Sequence, residues 1–557
     1  MAGTGEEMEL EAEVEEHIQS CATSIPIDDQ TSFVAKLASM CRTKHPTDIE
    51  SVSAEVKSLW LKELAVGEAK LLKRGNALRN CVKWSHELEN TICGVIVSLM
   101  KSIEKREGAD AVTMLESVRS LVHFIGACTH LPKWVLKKAL GLLSSHADVE
   151  VREAAYLIIH SLALTVPFPF FTLCMRGLYW TYVSTCSMLD TCSASLDSYT
   201  AEDTEMDTKM KLVKLYDTES RMAMLMKCCT ESMAMDPNSA YTCGFVYMRD
   251  LAISVSSAMQ NIDDHDEWAN TADVIAANDR AKEEKRKALA RVTSWAHLGQ
   301  LSLWTHALVG TDNAMTPETR AVLAPLAYPL IQVIVNSMNV IDVADSYRTA
   351  PFRLHLTKLL LLIKGGSSGV HVSIGFALAP LVSYGSASIK TMSSREKNSS
   401  YVSAKLVKAT LGSLAVIPTT WMNSRDCKLA VLEVTLALLT QYVGVVASCV
   451  SFPEEALVIT HILRQFVNGG GRFSGELNAD ELESELSQSD KKNRLIKMIR
   501  NFLADMEKHM TAVEVIRNRM QTGPRDSNRH IPKASVPSIG AFPIVKVCEE
   551  VVKKLVA

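Results

Sequence analysis

Three apolar runs of helix length lie between Ala324 and Leu381, and no other feature limits the fold as much: APLAYPLIQVIVNSMNVI, SYRTAPFRLHLTKLLLLI and VSIGFALAPL. Almost no acidic residue falls on them. A helix this apolar must cover its surface with neighbours, so the runs imply helices packed on helices. Proline recurs at Pro325, Pro329, Pro351 and Pro380. That placement marks helix starts, where a missing N–H costs least.

The rest of the chain supports an all-α reading. Leu, Ala, Val, Met and Ser are plentiful while aromatics are 6%, which favours helix over sheet. At 557 residues the chain exceeds one minimal core. Its 59 basic and 63 acidic residues nearly balance, so the chain as a whole carries no strong attraction to nucleic acid. Fourteen cysteines are scattered without a zinc-like spacing, and the acidic start lacks the apolar core of a signal peptide. Reduced, mostly buried thiols of a cytosolic or nuclear protein are expected.

Between residues 110 and 183 helix patterns follow in pairs. One of them, HADVEVREAAYLIIHSLAL, has the form of a HEAT-type repeat. Asp148 is placed to cap the next helix, Arg152 to sit on its outer side, and Ala154 and Ala155 to let helices approach closely. The expected architecture is an α-solenoid of degenerate HEAT/armadillo-like helical repeats. It divides into an acidic tail (1–30), a solenoid (31–468) with a charged insert at 261–288, a mixed-charge helical region (469–520), and a Pro-rich tail with a short terminal helix (521–557). Residues 196–211 read as a loop. The runs 321–341 and 429–450 are long enough to span a membrane, but an acid or prolines interrupt them. Helices buried on all sides are the expectation.

No active site assembles from the sequence. There is no phosphate-binding loop with its Lys, no HExxH and no Gly-x-Ser-x-Gly, and the fifteen histidines are spread singly. No enzyme activity, cofactor, metal or small-molecule substrate is expected. Lys282–Arg291 interleaves Glu283 and Glu284 with its basic residues, as a solvated helix face with i,i+4 pairs does. The Arg-rich segment Arg517–Arg529 resembles a contact tail.

Several ordered motifs resemble the nucleolar complex protein 2 family. Phe245, Val246, Tyr247, Arg249, Leu251 and Ala252 follow an Ala-Tyr pair as in that family, and Trp295 to Trp304 is similar to its Trp-containing helix. Leu326, Tyr328, Pro329, Leu330, Gln332 and Val333 match its Leu-x-Tyr-Pro-Leu-x-Gln-Val. Pro351, Arg353 and His355 match its Pro-Leu-Arg-Phe-His, with Phe352 and Leu354 departing from it. Ala379–Leu381 and Ser451, Phe452, Pro453 and Glu454 complete the series. The long charged N-terminal extension usual in the family is nearly absent.

The resemblance implies a non-enzymatic scaffold in large (60S) ribosomal subunit biogenesis. Its implied partners are a sister nucleolar complex protein, itself helical, and the pre-ribosomal particle with its protein and pre-rRNA. It also implies location in the nucleus, in nucleolus and nucleoplasm, and no membrane. Arg353 and His355 either bridge adjacent helices or touch the partner. The alternative is a HEAT/armadillo transport adaptor, which would carry a ladder of Trp/Asn pairs; none is found.

Overall fold

The computed structural model describes residues 86–103, 108–197, 205–263, 283–310 except 285, 315–341, 347–366, 374–382, 410–422, 424–447, 451–468, 490–521 and 543–556, with isolated positions elsewhere. The acidic tail at 1–30, most of the insert at 261–288, the polar break at 393–400 and the Pro-rich stretch 522–542 lie outside them. Every regular element among the described residues is helical. The chain is an all-α helical-repeat protein, packed helix on helix. It forms two compact units, residues 1–185 with 220–240, and residues 186–219 with 241–557.

In the first unit lie α1 (His86–Ile103), α2 (Ala109–Ser120), α3 (Val122–Ala127), α4 (Leu131–Ser145) and α5 (Val149–Thr165). The unit boundaries fall within the next three helices, α6 (Phe170–Asp197), α7 (Glu205–Met235) and α8 (Pro237–Asp263). The loop expected at 196–211 is helical at both ends, since helix continues to Asp197 and resumes at Glu205, and 198–204 lie outside the described residues.

α4 and α5 pack as a helical pair, and α5 also packs on α2 and α3. This central position explains its burial: Val151, Ala155, Ile158, Ile159 and Leu162 are all within the core. Two sequence expectations change here. Asp148 occupies the cap position of α5 but makes no capping bond. Its carboxylate instead accepts from the Gly108 N–H at 2.9 Å, so it ties the start of α5 to the start of α2. Arg152 is not on the outer side but buried, donating to the His146 carbonyl in the α4–α5 turn at 3.4 Å. A three-residue turn brings that carbonyl over the first turn of α5, which draws the guanidinium inward.

The second unit carries α9 (Trp295–Val309), α10 (Pro317–Leu323), a 3-10 turn at Ala324–Leu326, α11 (Ala327–Asn339), α12 (Ala350–Gly366), α13 (375–382), α14 (Arg425–Val446), α15 (Phe452–Val467), α16 (Asp490–Gln521) and α17 (Pro543–Val556). Their ends obey local rules. The Ser294 hydroxyl accepts from the His297 N–H at the start of α9, and Gly310 closes it in the left-handed conformation, φ 69°. Packing then runs in succession: α9 on α11 and α12, α12 on α14, α14 on α15 and α17, α15 on α16. The three apolar runs are the 3-10 turn with α11, then α12, then α13. Pro325 and Pro351 stand at helix starts and Pro329 in the first turn of α11, but Pro380 lies in the second half of α13.

Pro317–Asn339 and Asp426–Val446 are long and apolar enough to cross a membrane. Two thirds of the second is buried, at 67%, as expected of a core helix; the first is only 39% buried. The expectation of burial on all sides fails for the first run. α11 buries Leu330, Val333, Ile334, Ser337 and Met338 along one face only, and Tyr328 is 72% exposed.

Candidate functional site

The candidate residues separate into an inner set and an outer set. Arg353 centres the inner set. Burial of a guanidinium demands full use of its donors. One terminal nitrogen donates to Met338 and Ile341 carbonyls at 3.0 and 2.9 Å, and the other to the Ala377 carbonyl at 3.3 Å. Met338 lies in the last turn of α11 and Ile341 just beyond its end, where carbonyls lack partners inside the helix and the dipole favours a cation. One side chain on α12 thus ties the end of α11 to α13.

Pro351 is buried in the first turn of α12, and Phe352 beside it is fully buried. Two turns of α12 place His355 against Trp295, with ring centroids 5.0 Å apart and an edge-to-face arrangement. Burial lowers its pKa to about 4, so the neutral ring donates from Nε2 to the Leu414 carbonyl at 3.1 Å. Trp295 donates its indole N–H to the adjacent Ser413 carbonyl at 3.0 Å, and Asp190 accepts from the Trp295 backbone N–H at 2.9 Å. His297 behaves alike: burial lowers it to about 4, and its Nε2 meets the Ser337 hydroxyl at 2.9 Å. That hydroxyl donates to the Val333 carbonyl at 2.7 Å, so the imidazole is the donor to it.

Phe452 and Pro453 belong to a different packing site, at the start of α15. Both are buried, and the Phe452 ring meets His509 of α16 edge-on at 4.6 Å. Glu455, one turn on, binds the Tyr442 hydroxyl and the Ser451 hydroxyl and lies 3.9 Å from Lys364. Glu454 is exposed and pairs with Arg517 at 2.6 Å. Part of the expected contact tail is thus spent on holding α16 to α15.

The outer set faces solvent. Gln332 and Arg249 are exposed, Pro329 and Tyr247 half-buried, and Arg249 pairs with Asp250 at 3.5 Å. Phe245 is 55% exposed, and Val246 and Ile253 on the same helix are also open. Gly244 explains how these residues come near the central block. A side chain there would meet the Trp304 ring at 2.8 Å and Leu326 at 2.9 Å, so α8 lies directly on α9 and the turn before α11. Phe245 follows that contact by one residue and Tyr328 follows Leu326 by two. Leu330, in the same motif as Tyr328, is fully buried.

Sequence reasoning missed Trp295, Ser337, Leu414 and Gly244 as partners. Leu414 acts through its backbone carbonyl and Ser337 through its hydroxyl, which leave no pattern in a sequence, while Trp295 acts through its indole and already stood within a recognised motif. Gly244 did leave one, as a glycine inside a helical pattern. Among the described residues no His, Cys, Asp and Glu group converges to hold a metal ion. A shallow cleft of about 490 Å³ touches Asp190, Asp250, Arg291 and Gln300, and Asp190 is already spent on α9.

The fold and this arrangement define a helical-repeat protein whose central block divides between core-forming and solvent-facing residues. Residues 209–532 match the model of the Noc2p family, and the chain belongs to that family. It is 22% identical over 440 residues to an uncharacterized NOC2 family protein of Schizosaccharomyces pombe, covering 77% of this chain and 50% of that protein. It is likewise 22% identical over 363 residues to the nucleolar complex-associated protein 2 of Arabidopsis thaliana, covering 62% of this chain and 39% of that one. The chain thus aligns with about half or less of the length of these relatives.

Proposed function

We propose that this chain is a non-enzymatic scaffold in assembly of the large ribosomal subunit, working in the nucleolus. It pairs there with a sister nucleolar complex protein of helical repeats and accompanies the precursor particle into the nucleoplasm. Membership of the Noc2p family supports the role, and the name of the Arabidopsis relative supports the compartment. The observation that carries the reading is the exposure of Tyr328 inside a motif whose neighbour Leu330 is buried. An aromatic ring left 72% open costs solvation without adding to the core, as a partner-binding residue does.

The docking face in this reading comprises Tyr328, Gln332 and the Phe245–Arg249 turn of α8. Aromatic and Arg side chains concentrate binding energy when a partner excludes water from them. Affinity purification of the tagged protein from its own cells tests the function. Recovery of large-subunit precursor RNA with a second large helical-repeat protein is the expected result. Recovery of cargo receptors or transport factors without precursor RNA would refute it.

A further inference from the structure

Cys93 and Cys128 meet where α1 packs on α3 in the first unit. Cys93 lies in the N-terminal half of α1, and Cys128 caps the end of α3. Their thiols are hydrogen-bonded to each other, and the Cys128 sulfur also lies 3.3 Å from the Phe124 carbonyl. A second contact fixes the same register. Glu89, one turn before Cys93 on the same face of α1, accepts from the Thr129 N–H at 2.7 Å and from the Thr129 hydroxyl at 3.0 Å. The Cys128–Thr129 corner is thus held over that face of α1 from two adjacent positions.

Both thiols are free, and they sit just under the surface. Cys93 is 8% and Cys128 4% exposed, while Thr129 and His130, which follow, are open to solvent. The pair also differs chemically from other cysteines of the chain. Burial pushes the Cys174, Cys228, Cys427 and Cys548 thiols up to about 12, which keeps them protonated and inert. A Cys93 thiolate instead accepts the Cys128 S–H. That hydrogen bond outweighs burial and the Glu89 charge and draws the Cys93 thiol below its usual value. Cys228 and Cys229 adjoin in sequence, but consecutive side chains on α7 do not face each other.

We infer that Cys93 and Cys128 form an oxidant-responsive dithiol, a modification site that hydrogen peroxide converts to an intramolecular disulfide. The Cys93 thiolate attacks one peroxide oxygen and the O–O bond breaks. The departing hydroxide takes up a proton as water, and Cys93 becomes a sulfenic acid. The Cys128 sulfur then attacks the Cys93 sulfur, and its proton leaves with the hydroxyl as a second water. Two thiols lose two electrons and two protons, and one peroxide is reduced to two waters. The sulfurs need close only from hydrogen-bond contact to about 2.05 Å. Cys128 stands beyond the end of α3 in extended backbone, φ −73° and ψ 155°, so the turn can follow while α1 stays intact. The bond fastens α1 to the turn between α3 and α4. It lies outside residues 209–532 of the family match and is independent of the assembly role proposed above.

Disulfide mapping of the full chain tests it. The reduced protein is treated with hydrogen peroxide under native conditions, remaining thiols are alkylated, and a non-reducing digest is read by mass spectrometry. A Cys93–Cys128 crosslinked peptide is expected as the main disulfide, abolished by dithiothreitol. The same treatment in urea is expected to scatter pairing among the fourteen cysteines. Cys128→Ser removes the second thiol but keeps a hydrogen-bond donor. Dimedone is then expected to trap a Cys93 sulfenic acid at least tenfold more than in the unsubstituted chain. Both thiols alkylated after peroxide, Cys93 carried to sulfinic acid without a crosslink, or the same scattered pairing in folded and unfolded chain would each overturn the inference. So would equal dimedone labelling of Cys93 with and without Cys128.

Discussion

Arg353 and Tyr328 sit in neighbouring motifs yet do opposite work, and substitutions separate them. Arg353→Leu keeps the bulk but leaves the Met338, Ile341 and Ala377 carbonyls without their donor. A loss of about 3–5 kcal/mol in urea unfolding is expected, since buried carbonyls left without a donor cost about 1–3 kcal/mol each. Arg353→Lys recovers only part, because one ammonium cannot fork between three carbonyls on two helices. His297 and His355 set a pH dependence. Both bind a proton in the unfolded chain near pH 6.5 but only near 4 when folded. The unfolded state therefore holds more protons between these values, so stability is full above about pH 6.5 and falls as pH drops toward 4. Thermal unfolding at pH 7.5, 6 and 5 is expected to show a falling midpoint, with a contribution on the order of 3 kcal/mol per histidine at full loss. An unchanged midpoint down to pH 5 would contradict the neutral, desolvated state of the two rings.

Elements were largely legible before their surroundings were. Pro325 and Pro351 announce helix starts by residue type alone, and the structure places starts there. The inward turn of Arg152 and the redirected carboxylate of Asp148 were not legible, because both are decided by groups that only packing brings close. Likewise α11 is as apolar in sequence as a fully buried helix, and only its neighbours show that one face is covered. Gly244 gives an element-scale test. On helix propensity alone, Gly244→Ala stabilises by up to about 1 kcal/mol. Here the added methyl meets Trp304 at 2.8 Å, so the sign reverses and a loss of about 1–3 kcal/mol is expected by calorimetry. A stabilised variant would show that α8 does not press on α9 as described.

At the scale of the molecule, the account rests on a division of labour within one block. Leu330, Phe352 and Arg353 hold helices together, while Tyr328, Gln332 and the open side of α8 face solvent, where the proposed partner would dock. The motifs that mark the family were readable in the sequence, but they mix both roles residue by residue, and periodicity alone did not sort them. Leu330→Asp places a charge in the core and is expected to unfold the second unit, seen as lost helicity in circular dichroism. The most direct measurement is co-purification of the helical-repeat partner with tagged Tyr328→Asp chain, beside its melting curve. An unchanged melting midpoint with partner recovery reduced at least tenfold is the expected result. Full partner recovery by a folded Tyr328→Asp chain, or unfolding as severe as that of Leu330→Asp, would contradict an outward docking role for this block.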